Sequence, residues 1–186
     1  MIVEVQPLNM ENFKDLPRFR LFPYSCMRCA FWELPDFDDH TPEEKAEKTK
    51  RKWFADVRSK FGNCGFIAYV EDKPVGFAQY APAEFFPSIS KYGNLIPSKD
   101  AVFLTCLYIP NRELRAKGIG KQMFEKVTSD LRSRGYRAVE AFARTSDTPS
   151  DNIPDWYTGP LGFFLKMGFS VKRKNGQITL VRSELV

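Results

Sequence analysis

One stretch restricts what this chain can fold into more than any other. An apolar run, Ala101 to Ile109, leads into the turn Arg115-Ala116-Lys117-Gly118-Ile119-Gly120, and an amphipathic helical pattern follows at once. A strand, a glycine-punctuated turn and a helix N-terminus together make a seat for an anion. The N–H groups of a first helical turn have no intrahelical partner, and the helix dipole adds roughly half a positive charge there. Gly118 and Gly120 lack a Cβ, so phosphate oxygens can approach the backbone closely.

The rest of the chain supplies elements around that unit. Residues 2–8 predict a first strand, and Asn12 to Phe22 a short helix interrupted by Pro17. Residues 23–34 are apolar and aromatic without clean periodicity, which suits a packed loop or helical turn near a pocket. Thr41-Pro42-Glu43-Glu44 reads as a helix start, with Thr41 as cap, Pro42 at the first position and Glu44 closing a capping box. Ala46, Trp53, Phe54, Val57 and Phe61 then recur at helical spacing, lysines and glutamates cover the other side, and Gly62 ends the helix. Strands are expected over 64–71 and 74–80, joined by Asp72-Lys73 in a tight hairpin. Residues 82–98 form a long irregular loop of the kind that borders a substrate site or simply runs over the surface. The helix after the glycine turn spans about 118–134 with Ile119, Met123, Phe124, Val127 and Leu131 inward. A strand over 138–143, a polar loop, a short helix over 161–167 and two strands, 170–174 and 177–181, joined at Asn175-Gly176, complete the pattern.

At 186 residues the chain is most simply one domain, residues 1–186. No run approaches the roughly 18 to 20 apolar residues of a membrane helix. Glu4 stands in Met1-Ile2-Val3-Glu4-Val5, where a secretory signal needs basic residues before an apolar core. A cytoplasmic location and no membrane partner are therefore expected. The formal charge of +5 suits a polyanionic ligand, RNA or a merely solvated surface, and no RNA-binding motif accompanies it. The four cysteines, Cys26, Cys29, Cys64 and Cys106, are too scattered for a disulfide scaffold. Cys26-x-x-Cys29 supplies two zinc ligands where a structural site wants four, and Cys64 and His40 would have to converge on it. Buried structural thiols are the favoured reading, and no metal site is assigned.

Two motifs carry a family resemblance. The pattern Arg115-x-x-Gly118-x-Gly120 before a helix resembles the pyrophosphate signature of the GNAT superfamily of N-acetyltransferases. Phe164-Leu165-Lys166-Met167-Gly168-Phe169 resembles that superfamily's closing helix and its Gly-Phe turn. The order of elements matches over nearly the whole chain, and Cys26-x-x-Cys29-x-x-Trp32-Glu33 resembles a bacterial branch of it. The resemblance implies an α/β (α+β) fold with a mixed, V-shaped split sheet of about six or seven strands flanked by helices. It implies acetyl-CoA as co-substrate, lying in the cleft. The backbone at Leu107, Tyr108 and Ile109 would pair with the pantetheine, and the N–H groups from Arg115 through Ala116, Lys117, Gly118, Ile119 and Gly120 to Lys121 would surround the pyrophosphate. Arg115, Lys117 and Arg112 are candidate phosphate cations.

Acetyl transfer needs a neutral amine, and deprotonating an alkylamine near pKa 10.4 at pH 7 costs about 4 to 5 kcal/mol. Glu140, Glu84 and Glu33 are the carboxylate candidates for that step. A backbone N–H near Leu107 is the oxyanion donor in view. The resemblance places a thiolate-protonating tyrosine where this chain has Phe164, which has no proton to give, so Tyr157 or Tyr108 would substitute. Cys106 offers a covalent acetyl-cysteine route or, more simply, a core thiol. The leading expectation is direct acetyl transfer to a primary amine of a small molecule or peptide. A non-catalytic acyl-CoA sensor and a Cys-x-x-Cys metal or redox switch are the competitors. Monomer and homodimer both stay open.

Overall fold

The computed structural model describes residues 2–20, 22–145 and 159–185. Seven strands form one sheet: β1 (Glu4–Pro7), β2 (Gly65–Val70), β3 (Lys73–Pro82), β4 (Val102–Tyr108), β5 (Ala138–Arg144), β6 (Ser170–Asn175) and β7 (Ile178–Glu184), in the order β1-β2-β3-β4-β5-β7-β6. Neighbours run antiparallel except β4 and β5, which are parallel. That contact is short, with Val102, Phe103 and Leu104 opposite Val139, Glu140 and Ala141. Beyond Leu104, β4 runs on to Tyr108 beside β3 alone among the described strands. The sheet therefore opens as a V at its centre, as the sequence predicts.

A bulge marks the place where the V opens. Gln79 faces Cys106 and Tyr80 faces Leu104, so Thr105 is the extra residue. Its hydroxyl donates to the Gln79 carbonyl at 3.1 Å. A bulge adds twist and re-aims the strand that carries it, which directs the end of β4 away from β5.

Helices α1 (Glu43–Lys60) and α2 (Ile119–Ser133) cover opposite faces of the sheet, and α3 (Leu161–Lys166) follows β5 in the chain. Side chains alternate along a strand. Gly76 of β3 faces α2 so closely that a Cβ there would stand 2.8 Å from Met123 Sδ. The next residue, Phe77, meets Lys50 of α1, whose Nζ lies 5.8 Å from the ring centroid. The predicted inward stripe of α2, Ile119, Met123, Phe124, Val127 and Leu131, is buried throughout.

Several local expectations change. Among the described residues of 12–22 there is no α-helix; Phe13–Asp15 makes a short 3-10 turn, and Pro17 leaves the chain to run as a loop. Thr41 does not cap α1. Its hydroxyl accepts the Asp38 amide at 3.0 Å, and Pro42 takes the cap position with no side-chain bond. The β2–β3 turn is Glu71-Asp72, both in the left-handed region, so it sits one residue earlier than the sequence suggests. Ile178 pairs with Asn175, so the β6–β7 turn is Gly176-Gln177. The irregular segment after β3 carries two 3-10 turns, Ala83–Phe85 and Pro87–Tyr92.

Candidate active site

The glycine turn holds the geometry an anion seat requires. Ala116 and Gly118 have φ of 59° and 84°, and Gly118 is the residue at the cap of α2, where no side chain bonds the helix. The first intrahelical bond runs from the Gln122 amide to the Gly118 carbonyl at 3.1 Å, so the amides of Ile119, Gly120 and Lys121 precede it. A Cβ on Gly118 would meet nothing within 4 Å. That open space in front of a helix N-terminus fits a pyrophosphate.

Arg115 has a different role from a phosphate cation in this geometry. Its Nε donates to the Ile109 carbonyl at 2.8 Å and its Nη2 to the Pro110 carbonyl at 3.3 Å. Its guanidinium carbon lies 5.9 Å from the Tyr108 ring centroid. The side chain thus braces the turn against the end of β4. Lys117 and Arg112 are exposed, Ile119 is buried in the core, and Lys121 pairs with Glu125 at 3.8 Å.

Leu107, Tyr108 and Ile109 are half-buried and lie beyond the last β4–β5 pair. The Tyr108 ring meets Phe19 edge-on at 5.5 Å. Phe164, on α3, is buried against Phe163 and Phe169 and is a packing residue. Tyr157 lies outside the described residues.

The three carboxylate candidates are in unlike places. Glu84 is exposed in the turn after β3. Glu140 is fully buried, opposite Phe103 in the closed part of the V. Its Oε1 accepts from Lys172 Nζ at 2.9 Å and from Arg182 Nη1 at 3.1 Å, and its Oε2 from the Ser98 amide at 2.7 Å. Burial alone would raise its pKa; the hydrogen bonds from Lys172, Ser98 and Arg182 outweigh that and hold it below the ordinary carboxylate range. Glu33 lies at the opposite end, where the V opens. Its Oε1 accepts from Lys50 Nζ at 2.7 Å and from Gln79 Nε2 at 2.6 Å, while its buried Oε2 has no partner among the described residues.

Lys50 is the residue that sequence reading missed. It sits on the inward stripe of α1, its side chain only 3% exposed, bonded to Glu33 and to Gln79 Oε1. Burial works against its charge, but the Glu33 carboxylate, with smaller contributions from Cys106 and Cys29, outweighs it and raises the pKa. The spacing 46–50–53–54–57 contained the signal, since position 50 falls between inward apolar residues.

A pocket of about 850 Å³ opens next to this cluster, and Lys50, Phe77, Cys106 and Tyr108 line it. Cys26 and Cys29 line it too, so the aromatic segment 23–34 does border a pocket. All four cysteines are buried and none is in a disulfide among the described residues. Burial pushes the Cys64 and Cys106 thiols up to about 12 and the Cys26 thiol well above its usual value. Such thiols are neutral and poor nucleophiles at neutral pH, which argues against an acetyl-cysteine route. His40 is exposed, away from Cys64 in the core. Among the described residues no group of three or more His, Cys, Asp or Glu side chains is placed to hold a metal ion.

The split parallel pair, the bulge and the uncapped glycine turn together form an open cleft at the centre of the sheet. The sequence profile of the acetyltransferase (GNAT) family matches residues 27–169. The chain belongs to that family. Among solved structures it is similar to the PaiA N-acetyltransferase of Thermoplasma acidophilum in complex with coenzyme A, at 15% identity and a TM-score of 0.59 over 99% of each chain. It is also similar to an N-acetyltransferase of Staphylococcus aureus Mu50, at 14% identity and a TM-score of 0.60 over 100% of each chain. The ribosomal-protein-S18-alanine N-acetyltransferase of Escherichia coli matches at 12% identity and a TM-score of 0.56, over 99% of this chain and 94% of the other. At these identities the likeness shows the shared fold. No curated protein matches the chain. No helix among the described residues is long and apolar enough to cross a membrane.

Proposed function

We propose that the protein is an acetyl-CoA-dependent N-acetyltransferase that moves the acetyl group directly to a primary amine. The observation that carries this reading is the pairing of an opened β4 edge with an uncapped helix N-terminus at the same end of the V. The amides of Ile119, Gly120 and Lys121 donate to the pyrophosphate, and the backbone of Leu107 and Ile109 pairs with the pantetheine as an added strand would. Bound acetyl-CoA supplies a thioester carbonyl ready for attack. The backbone N–H of Leu107 stands where charge develops on that carbonyl oxygen; such a donor is worth about 2.7 to 4 kcal/mol. As the C–N bond forms and the C–S bond breaks, Tyr108, on the same stretch of β4, protonates the departing thiolate in place of the tyrosine that Phe164 replaces, and the proton released by the amine nitrogen passes through water to restore the tyrosine. Lys117 and Arg112 contribute long-range positive charge at the mouth.

Turnover is the test: acetyl-CoA is incubated with a panel of primary amines, and release of the coenzyme thiol is followed with product mass. Amine-dependent thiol release by the wild type is expected. Tyr108→Phe is expected to lower kcat by roughly a hundredfold, the usual scale of general-acid help, with the KM for acetyl-CoA held within a factor of about two. Saturable binding of acetyl-CoA with no transfer to any amine would instead support the sensor reading.

A further inference from the structure

The pocket beside β4 has a charge pattern of which the reading above uses Arg112 alone. Arg18, Arg20, Lys73 and Arg112 stand exposed at its mouth, and Lys50 lies at its buried end. No aspartate or glutamate is among its described lining residues. Between mouth and floor the walls are aromatic, with Phe19, Phe22, Phe77 and Tyr108. An ammonium has three N–H donors. Lys50 uses two of them, toward Glu33 and Gln79, on a side chain that itself lines the pocket. Glu33 balances the Lys50 charge, so the net positive character comes from the mouth.

The pocket is distinct from the pyrophosphate seat. Gly76 faces α2, so Phe77, which lines the pocket, lies on the other face of β3. None of residues 115–121 lines it. The two sites share β4, whose residues Cys106 and Tyr108 flank the Leu107 backbone where the thioester is expected. A ligand in the pocket would therefore reach the reacting carbon from the face opposite α2. The volume of about 850 Å³ lies within the range of small-molecule sites.

We propose that this pocket seats the acceptor, and that the acceptor is a small amine joining an apolar body to an anionic group, a carboxylate or a phosphate ester. The proposal rests on the acetyltransferase reading and adds its substrate class. The cations at the mouth draw in and orient the anion, and the aromatic walls hold the apolar body. A simple cationic polyamine is disfavoured, because no carboxylate of the pocket would meet its second charge.

Calorimetric titration of the CoA-saturated protein tests this with product-like probes. N-acetyl-L-phenylalanine and N-acetyl-2-phenylethylamine differ only by a carboxylate, and phenyl phosphate carries the other anion. The anionic probes are expected to bind about tenfold or more tightly than the neutral one, as charge-assisted contacts imply. Which of the two anions binds better tells carboxylate from phosphate ester. The exposed-site double variant Arg20→Glu/Lys73→Glu should lose that preference while its affinity for CoA stays within about twofold. Equal affinity for charged and neutral probes, absence of binding by the anionic probes, or an undiminished preference in the variant overturns the proposal. A variant that also loses CoA affinity overturns it as well, because the pocket would then serve the coenzyme. If the wild type itself fails to bind CoA, the acetyltransferase reading falls with it.

Discussion

The two ends of the V each bury a carboxylate beside a lysine, and the two clusters are built to different standards. At the closed end, Glu140 has a donor on each oxygen, and its cations keep some contact with water: Lys172 is 35% and Arg182 is 14% exposed. Arg182 also pairs with Asp100 at 2.9 Å and with Glu184 at 2.6 Å. At the open end, Lys50 and Glu33 are 3% and 1% exposed, and Glu33 Oε2 has no partner among the described residues. The closed cluster pins β5, β6, β7 and the loop at Ser98 together where nothing has to enter. The open cluster sits beside a pocket with hydrogen-bonding capacity in reserve. The closed network is fully satisfied and forms a structural joint, whereas the open one is incomplete and lies next to a cavity.

The contrast has consequences for stability. Lys50→Met leaves the Glu33 carboxylate buried without its cation, and we expect a loss of about 3 to 5 kcal/mol by urea unfolding. Lys50→Met/Glu33→Gln should recover part of that, because the stranded charge is gone. Glu140→Gln should cost less, about 1 to 3 kcal/mol, since Arg182 retains Asp100 and Glu184. A larger loss for Glu140→Gln than for Lys50→Met would invert the comparison.

The same clusters set opposite pH dependences. Glu140 has a folded-state pKa below its unfolded value, so its contribution is complete above the unfolded value of about 4.3 and is lost as pH falls through the folded one. Lys50 has a folded-state pKa above its unfolded value; its contribution is complete below about 10.4 and is lost as pH rises through the folded value. Unfolding midpoints measured against pH should show Glu140→Gln flattening the acid limb only. The smallest effect on stability, but a clear one in rate, concerns the thiols. With Cys64 and Cys106 at about 12, their thiolate fraction at pH 8 is roughly a thousandfold below that of an ordinary thiol. Disulfide-reagent kinetics should be slow in the native protein and fast in urea; rapid native reaction at Cys106 would reopen a cysteine route.

Regions where one physical rule acts alone were legible in the sequence. Helix α2 combines a glycine turn with an unbroken stripe from Ile119 to Leu131, so both its start and its inward face could be read directly. Both hairpins are legible, but each turn sits one residue from where the sequence points: Glu71-Asp72 adopts the left-handed region without a glycine, and Asn175 stays paired with Ile178 so that Gly176 opens the second turn. Thr41 looked like a helix cap, yet Asp38 drew its hydroxyl into an earlier turn. Residues 12–22 carry helix-compatible residues, but the loop is held by long-range packing, such as Phe13 against Phe54 at 5.5 Å. Lys50 was assigned to the solvated side on charge alone. Its burial depends on Glu33 and Gln79, which are distant in sequence, and no local pattern brings them together. Glu140 was singled out as a base, and only its partners from β6, β7 and the Ser98 loop reveal the joint it forms.

The most direct measurement is calorimetric titration with acetyl-CoA of the wild type, Gly118→Glu and Gly118→Asn. Asparagine tolerates the left-handed conformation at this cap, while glutamate adds strain, bulk and negative charge in the open space before α2. We expect saturable binding by the wild type, near-wild-type binding by Gly118→Asn, and a loss of at least about tenfold, near 1.4 kcal/mol, for Gly118→Glu. Thermal unfolding of each variant checks that the fold is intact. Undiminished binding by a folded Gly118→Glu protein would show that the pyrophosphate does not sit at the N-terminus of α2.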